Sequence, residues 1–176
     1  MSTKKKYIPL LIIFAFAVYC SLVIGQSLDE HYHLMQGKIT LDYLFSLGNI
    51  DIEAARPSSE IDYGKYYSTF YWSFLYFITE IFPSKYEIEV SHLVNLIFSL
   101  GVIFAIGKVS KELFNKKVGE IIFIVLFFYP VFFGHMSINN KDTILAFSHV
   151  WIIYLILRYL KKQAIREKAN KYAISV

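Results

Sequence analysis

Two short polar segments of the sequence concentrate the residue types that could do chemistry. The first, residues 27–33, reads SLDEHYH and begins directly after a long apolar run. The second, residues 134–142, reads GHMSINNKD and lies between two apolar runs. Carboxylates, imidazoles and a lysine at the ends of long apolar runs are placed where a membrane surface meets water. Both segments are therefore candidates for ligand binding or catalysis at that surface.

The histidines of the first segment raise the question of a metal site. His31 and His33 stand beside Asp29 and Glu30, and imidazoles and carboxylates are common zinc ligands. Residues two apart diverge on a helix, however, and no cysteine or second histidine cluster nearby completes a tetrahedral set. We therefore expect no dedicated metal site and no certain cofactor. The sequence leaves open a divalent cation held jointly by acidic groups and a substrate phosphate.

Both segments also have a purely structural interpretation. Ser27 and Glu30 fit a capping box, and Asp29 would favour the positive end of a helix that runs to about residue 47. The second segment ends in ordinary turn chemistry, with Asp142 capping the helix that follows. The residues alone leave the structural and the functional interpretations open.

The composition indicates that the elements carrying these segments lie in a lipid bilayer. Of 176 residues, 56% are hydrophobic and 18% aromatic, and the mean hydropathy is +0.44, which exceeds the apolar content of an ordinary soluble domain. Four apolar runs are long enough to cross the hydrocarbon core at about 1.5 Å of rise per residue. They are residues 7–25, 90–107, 118–134 and 143–160. The expected fold class is all-α and integral to the membrane.

The external loop between the first two spans, residues 26–89, is expected to hold two interfacial amphipathic helices. Residues 30–47 separate apolar and polar positions at helical spacing. Residues 66–82 are rich in aromatic side chains and carry one polar stripe. The stripe consists of Thr69, Ser73, Tyr76 and Glu80. Helices of this kind prefer the headgroup boundary.

The basic residues predict the orientation. With four spans and a cytoplasmic N-terminus, thirteen of the eighteen Lys and Arg residues lie inside, as the positive-inside rule requires. Five spans with an external N-terminus would give the same tally. Residues 4–6, three lysines directly before the first span, favour four spans with both termini in the cytoplasm. Because the basic groups serve as topology signals in an inner or plasma membrane, no nucleic-acid partner is expected.

Four residues of the spans have expected packing or anchoring roles. Pro130 removes one backbone donor and should kink its helix. Asn95 and Ser99 can hydrogen-bond neighbouring helices. His92, at the external start of its span, is expected to anchor the interface, although contact with a ligand stays open.

The order of these features resembles the N-terminal region of the GT-C membrane glycosyltransferases. The nearest branch contains the protein mannosyltransferases that use dolichyl-phosphate-mannose and the aminoarabinose transferases, which is glycosyltransferase family 39. The resemblance rests on the acid pair after the first span and on residues 63–66, 108–119, 129–135 and 139–142. It implies a polyprenyl-phosphate-linked sugar donor and a lipid or protein acceptor at the external membrane face.

The resemblance also implies roles for individual residues. Asp29 matches the acid that family members use as general base on the acceptor hydroxyl, Glu30 is its usual neighbour, and Asp142 matches the second acid, so the resemblance suggests Asp29, Glu30 and Asp142 as catalytic residues. A phosphate leaving group needs cationic or hydrogen-bond donor groups. The residues that the resemblance suggests for substrate binding are His33, Lys65, Tyr66, Asn139 and Lys141.

The length of the chain departs from this family. Members run to several hundred residues, so residues 1–176 are expected to form one N-terminal portion of a GT-C transmembrane domain, a fragment completed by a C-terminal half or a partner subunit. A second hypothesis belongs to another class of protein. It is a small non-enzymatic membrane protein, a scaffold or transport subunit, whose loop acids cap helices.

Overall fold

The computed structural model describes residues 3–51 and 68–163, and every regular element in these two ranges is helical. The helices are α1 (Thr3–Val23), α2 (Glu30–Phe45), α3 (Phe70–Thr79), α4 (Glu87–Leu113), α5 (Lys116–Phe127), α6 (Pro130–His135) and α7 (Asp142–Lys162), and a 3-10 turn, Ser84–Tyr86, leads into α4. This confirms the helical class. The chain forms two compact units, Met1–Val94 and Asn95–Val176, and the division falls within α4.

Two helices of the described ranges are long and apolar enough to cross a membrane. They are Ser84–Leu113, which includes the 3-10 turn, and Asp142–Lys162. Leu10–Val23 is a shorter apolar helix. These elements contain the predicted spans 90–107 and 143–160 and most of the first one, while the total of four spans stays a prediction.

The predicted third span, residues 118–134, is wrong as a single helix. α5 ends at Phe127 and α6 begins at Pro130, and Tyr129 between them is extended, with φ −68° and ψ 113°. Proline has no N–H and disfavours helical dihedrals in the residue before it. Pro130 therefore starts a new helix instead of kinking a continuous one.

In the first unit, α2 packs directly on the backbone of α3. Gly37 of α2 is buried, and a β-carbon there would collide with the carbonyl of Trp72. The His33 ring stacks on the Trp72 indole, with centroids 4.2 Å apart and an interplanar angle of 19°. The absent side chain of Gly37 thus lets the two helices approach closely enough for this stacking.

We expect Gly37→Ala to destabilise the first unit by about 1–3 kcal/mol, because the new methyl group overpacks a backbone contact. The measurement is thermal unfolding of the purified chain in detergent. Gly134→Ala is the matched control, since Gly134 is also helical and nothing lies within 4 Å of its added β-carbon. The prediction is contradicted if both variants melt at the temperature of the unaltered chain.

α3 presents phenylalanine rings outward, whereas Trp72 and small hydroxyls lie inward. Phe70 is 83% exposed and Phe77 52% exposed, whereas Ser73 and Thr79 are buried. Ser73 Oγ donates to the carbonyl of Thr69, and Thr79 Oγ1 donates to that of Tyr76. An outward apolar face with internally bonded hydroxyls suits contact with lipid. Part of the predicted polar stripe therefore faces protein instead of the headgroup region.

The second unit positions α7 against α4 through a small residue and an ion pair. The Phe147 ring lies over Gly101, whose β-carbon would stand 2.5 Å from Cε2 of that ring. Arg158 Nη1 lies 2.7 Å from Glu112 Oε1, with both side chains mostly buried. α5 adds a close crossing, since a β-carbon at Gly119 would stand 2.6 Å from the Gly107 carbonyl oxygen. Close approach at glycines is typical of helices packed within membranes.

Candidate functional site

The first polar segment, residues 27–33, includes the end of the connection from α1 to α2 and the first turn of α2. Asp29 is exposed and occupies the position directly before α2, with φ −87° and ψ −18°. Its carbonyl accepts a hydrogen bond from His33 N at 3.0 Å, but its carboxylate does not cap the helix. The carboxylate therefore stands at the positive end of α2 without being needed to hold that end together.

Glu30, the next residue, is completely buried. Its Oε2 accepts a hydrogen bond from Ser27 N at 2.6 Å, which is the glutamate half of the predicted capping box. Its Oε1 lies 2.8 Å from His92 Nε2. The neighbouring acids Asp29 and Glu30 thus have different surroundings, one facing outward and one enclosed by protein.

His92 completes this arrangement and is also completely buried. The expected interface anchoring by His92 is therefore wrong, because its ring is enclosed by protein. Its Nδ1 lies 3.0 Å from the carbonyl oxygen of Ser21, near the end of α1. One signal in the sequence pointed to this pairing: Glu30 and His92 both stand near the predicted external ends of apolar spans, where an acid and a histidine can contact each other.

His33 belongs to the packing between α2 and α3. It is 4% exposed and stacks on Trp72, and the ring of Tyr32 meets Trp72 edge-on at 6.4 Å. These rings form one aromatic cluster of the first unit. The predicted contact of His33 with substrate stays a prediction, and Lys65 and Tyr66 lie outside the described residues.

The Asn139 side chain makes the hydrogen bonds that hold the end of the second polar segment, residues 134–142. Asn139 Oδ1 accepts hydrogen bonds from the backbone nitrogens of Lys141 at 3.3 Å and Asp142 at 3.0 Å. Asn139 Nδ2 donates to Asp142 Oδ2 at 3.0 Å. Asp142 is the exposed first residue of α7, so the structural interpretation in which Asp142 caps this helix is wrong: Asn139 supplies the capping oxygen.

Buried polar groups of α4 hold the loop that leads to Asp142. Asn95 Nδ2 donates to the Ser137 carbonyl at 3.0 Å, and Ser99 Oγ donates to the Met136 carbonyl at 2.7 Å. The predicted hydrogen bonding of Asn95 and Ser99 to neighbouring segments is confirmed. Asn140, which is 1% exposed, has no hydrogen-bond partner for its side-chain amide among the described residues. The bonds from Asn95 and Ser99 thus hold the backbone of the loop at Met136 and Ser137, while the Asp142 side chain stays exposed.

The two polar segments have the same local arrangement, although they belong to different units. In each, an exposed aspartate stands at the first turn of a helix, and a neighbouring side chain makes the hydrogen bonds that hold the turn. Among residues 3–51 and 68–163, no three His, Cys, Asp or Glu side chains converge as a metal site would require. The meeting of Asp29 and Asp142 at one substrate stays a prediction.

Comparison with known protein families places the chain in one of them. Residues 69–169, more than half of the chain, match the family described as dolichyl-phosphate-mannose-protein mannosyltransferase. The matched segment contains His92 and the whole turn from Asn139 to Asp142, and it begins after Asp29 and Glu30. No curated protein and no solved structure matches the chain. Its apolar helices and this match identify the chain as an integral membrane protein of the dolichyl-phosphate-mannose-protein mannosyltransferase family, a family of GT-C glycosyltransferases.

Proposed function

We propose that the chain takes part in transferring a sugar from a polyprenyl-phosphate carrier to an acceptor hydroxyl at the external membrane face. The observation that carries this proposal is the turn from Asn139 to Asp142, which lies inside the family match and presents an exposed carboxylate. A lipid-linked donor suits this location, because its isoprenoid chain stays in the bilayer while the sugar reaches water.

Asp29 is the general base in this proposal. Its carboxylate takes the proton of the acceptor hydroxyl as the acceptor oxygen forms a bond to the anomeric carbon. The bond between the anomeric carbon and the carrier phosphate breaks at the same time, and polyprenyl phosphate leaves with the electron pair. Attack from the side opposite the phosphate inverts the anomeric centre. The exposure of Asp29 at the start of α2 supports this role.

Asp142 and Lys141 have binding roles in this proposal. Asp142 accepts hydrogen bonds from sugar or acceptor hydroxyls, and Lys141 supplies positive charge toward the phosphate leaving group. Lys141 directly precedes α7 and is partly buried, so its side chain starts from the same fixed turn as Asp142. Lys65, Tyr66 and His33 are proposed to complete the substrate contacts, and a further subunit or C-terminal half to complete the carrier site.

The proposed activity is tested in the native membrane, where any partner subunit is retained. Membranes from cells with and without the chromosomal gene receive a radiolabelled polyprenyl-phosphate sugar, mannose and aminoarabinose being compared, and label in protein and in lipid is counted. We expect transfer of one of these sugars to disappear with the gene and to return with the reintroduced chain. Unchanged labelling with both donors would contradict the proposal and favour the scaffold or transport alternative.

A further inference from the structure

We infer that Glu30 and His92 form a buried polar pair that positions Asp29, and that neither side chain touches the substrate. The inference rests on the proposed function, because positioning Asp29 affects the reaction only if Asp29 acts in the sugar transfer. It assigns a role to His92 and changes the role expected for Glu30 from chemistry to positioning.

The pair joins three segments of the first unit that are distant in sequence. Glu30 Oε1 lies 2.8 Å from His92 Nε2, and His92 Nδ1 lies 3.0 Å from the carbonyl oxygen of Ser21. Glu30 Oε2 accepts from Ser27 N at 2.6 Å. Two hydrogen bonds and the close contact between Glu30 and His92 therefore join the start of α2, the end of α1 and the first turns of α4.

The contact with Ser21 determines which ring nitrogen of His92 carries a hydrogen. A carbonyl oxygen only accepts, so His92 Nδ1 carries the hydrogen that it donates to Ser21, and His92 Nε2 is the ring nitrogen that faces Glu30 Oε1. Because both side chains are buried, removal of one partner leaves the other polar group uncompensated.

The fixed glutamate controls the position of the aspartate before it. The turn from Ser27 to Glu30 is closed by the Ser27 N–H bond to Glu30 Oε2 and by Glu30 N donating to the Ser27 carbonyl at 3.3 Å. Asp29 lies inside that turn, one residue from the anchored Glu30. Because displacement of a reacting group by about 1 Å can cost on the order of 10²-fold in rate, a fixed turn has a direct catalytic value.

Burial separates the positioning role from a chemical one. Glu30 and His92 are both 0% exposed, so neither can reach a substrate that approaches the exposed face of Asp29. His92 lies within the family match and Glu30 lies before it. His92, which belongs to the matched segment, therefore contacts Glu30 in the turn Ser27–Glu30, which precedes that segment.

The decisive variant is Glu30→Gln, which keeps the shape and the polar contacts of the side chain. The amide oxygen can accept from Ser27 N, and the amide nitrogen can face His92 Nε2. We expect its kcat for sugar transfer in native membranes to stay within about threefold of the unaltered chain. Glu30→Ala and His92→Phe should lower kcat by about 30-fold or more with less than about threefold change in the donor KM. His92→Gln, which restores an N–H toward Glu30, should recover part of that loss.

Rates are normalised to the amount of chain in the membrane, and Asp29→Asn is assayed beside them. If Glu30→Gln loses transfer as fully as Glu30→Ala, or if His92→Phe keeps the full kcat, the positioning role is overturned. Should His92→Phe fail to accumulate, Glu30→Gln still decides, because it preserves the bonds needed for folding. Full transfer by Asp29→Asn would instead overturn the proposed function, so the two failures are distinguishable.

Discussion

Asp29→Asn is expected to lower kcat for sugar transfer by about 10²–10⁴-fold, the range that a positioned general base contributes. The amide cannot take the proton of the acceptor hydroxyl, so attack on the anomeric carbon loses its base. The substitution removes no helix cap, because the Asp29 carboxylate makes no capping hydrogen bond to α2. The loss of a charge at the helix start should cost only about 0.3–1 kcal/mol of stability.

Asp42→Asn is the matched control for this variant. Asp42 is an exposed aspartate of the same helix, and its replacement should leave both transfer and the amount of chain in the membrane unchanged. Since the lost base acts in the chemical step, the donor KM of Asp29→Asn should change little. A variant with full kcat would remove Asp29 from the role of base.

The start of α2 shows how far local sequence determined this site. Ser27 and Glu30 carry a capping signal within four residues, and the helix begins at Glu30 with the expected bond to Ser27 N. Asp29 then falls at the helix start by chain connectivity alone. The Asn139 turn is equally local, and only the identity of the capping residue was wrong, because Asn139 and Asp142 can both supply an oxygen and the pattern does not rank them.

The partners of these local elements could not be predicted, because they come from distant parts of the chain. Glu30 and His92 are separated by more than sixty residues, and periodicity gives a residue's face on its own helix without naming what packs there. Gly37 against the Trp72 backbone is a second case. A glycine within a helix signals a close approach, but the approaching segment is a property of the tertiary fold.

Hydropathy identified the two long apolar helices and missed the interruption of a third apolar run for a related reason. The run 118–134 is apolar apart from Glu120, so its mean hydropathy is that of one span, yet the helix ends before Pro130. A hydropathy average over a window of residues estimates the free energy of transfer into lipid. The break in the helix depends instead on the missing N–H of Pro130 and on the restricted φ and ψ of Tyr129 before it. In the same way, α4 extends beyond the predicted 90–107 to Glu87–Leu113, because a helix continues past its apolar part where polar ends can reach water.

Asp142→Asn is expected to lower kcat/KM for transfer by about 10²-fold, since the carboxylate is proposed to accept hydrogen bonds from substrate hydroxyls as charge develops. Folding should be preserved, because the backbone nitrogen of residue 142 is capped by Asn139 and the new amide oxygen can still accept from Asn139 Nδ2. Asn139→Ala is the complementary variant: it removes the cap, costs about 1 kcal/mol of stability and keeps the carboxylate. Transfer should fall less in Asn139→Ala than in Asp142→Asn, and the reverse order would make the turn, not the carboxylate, the functional feature.

The double variant Asp29→Asn/Asp142→Asn tests whether the two acids serve one reaction. Groups that act as a unit on the same transition state are non-additive, so the double variant should lose little more than the worse single variant. Independent contributions would instead multiply, giving about 10⁴-fold or more from the two losses expected above. Multiplied losses would contradict a shared substrate and leave Asp142 with a separate task, such as holding the carrier end of the donor.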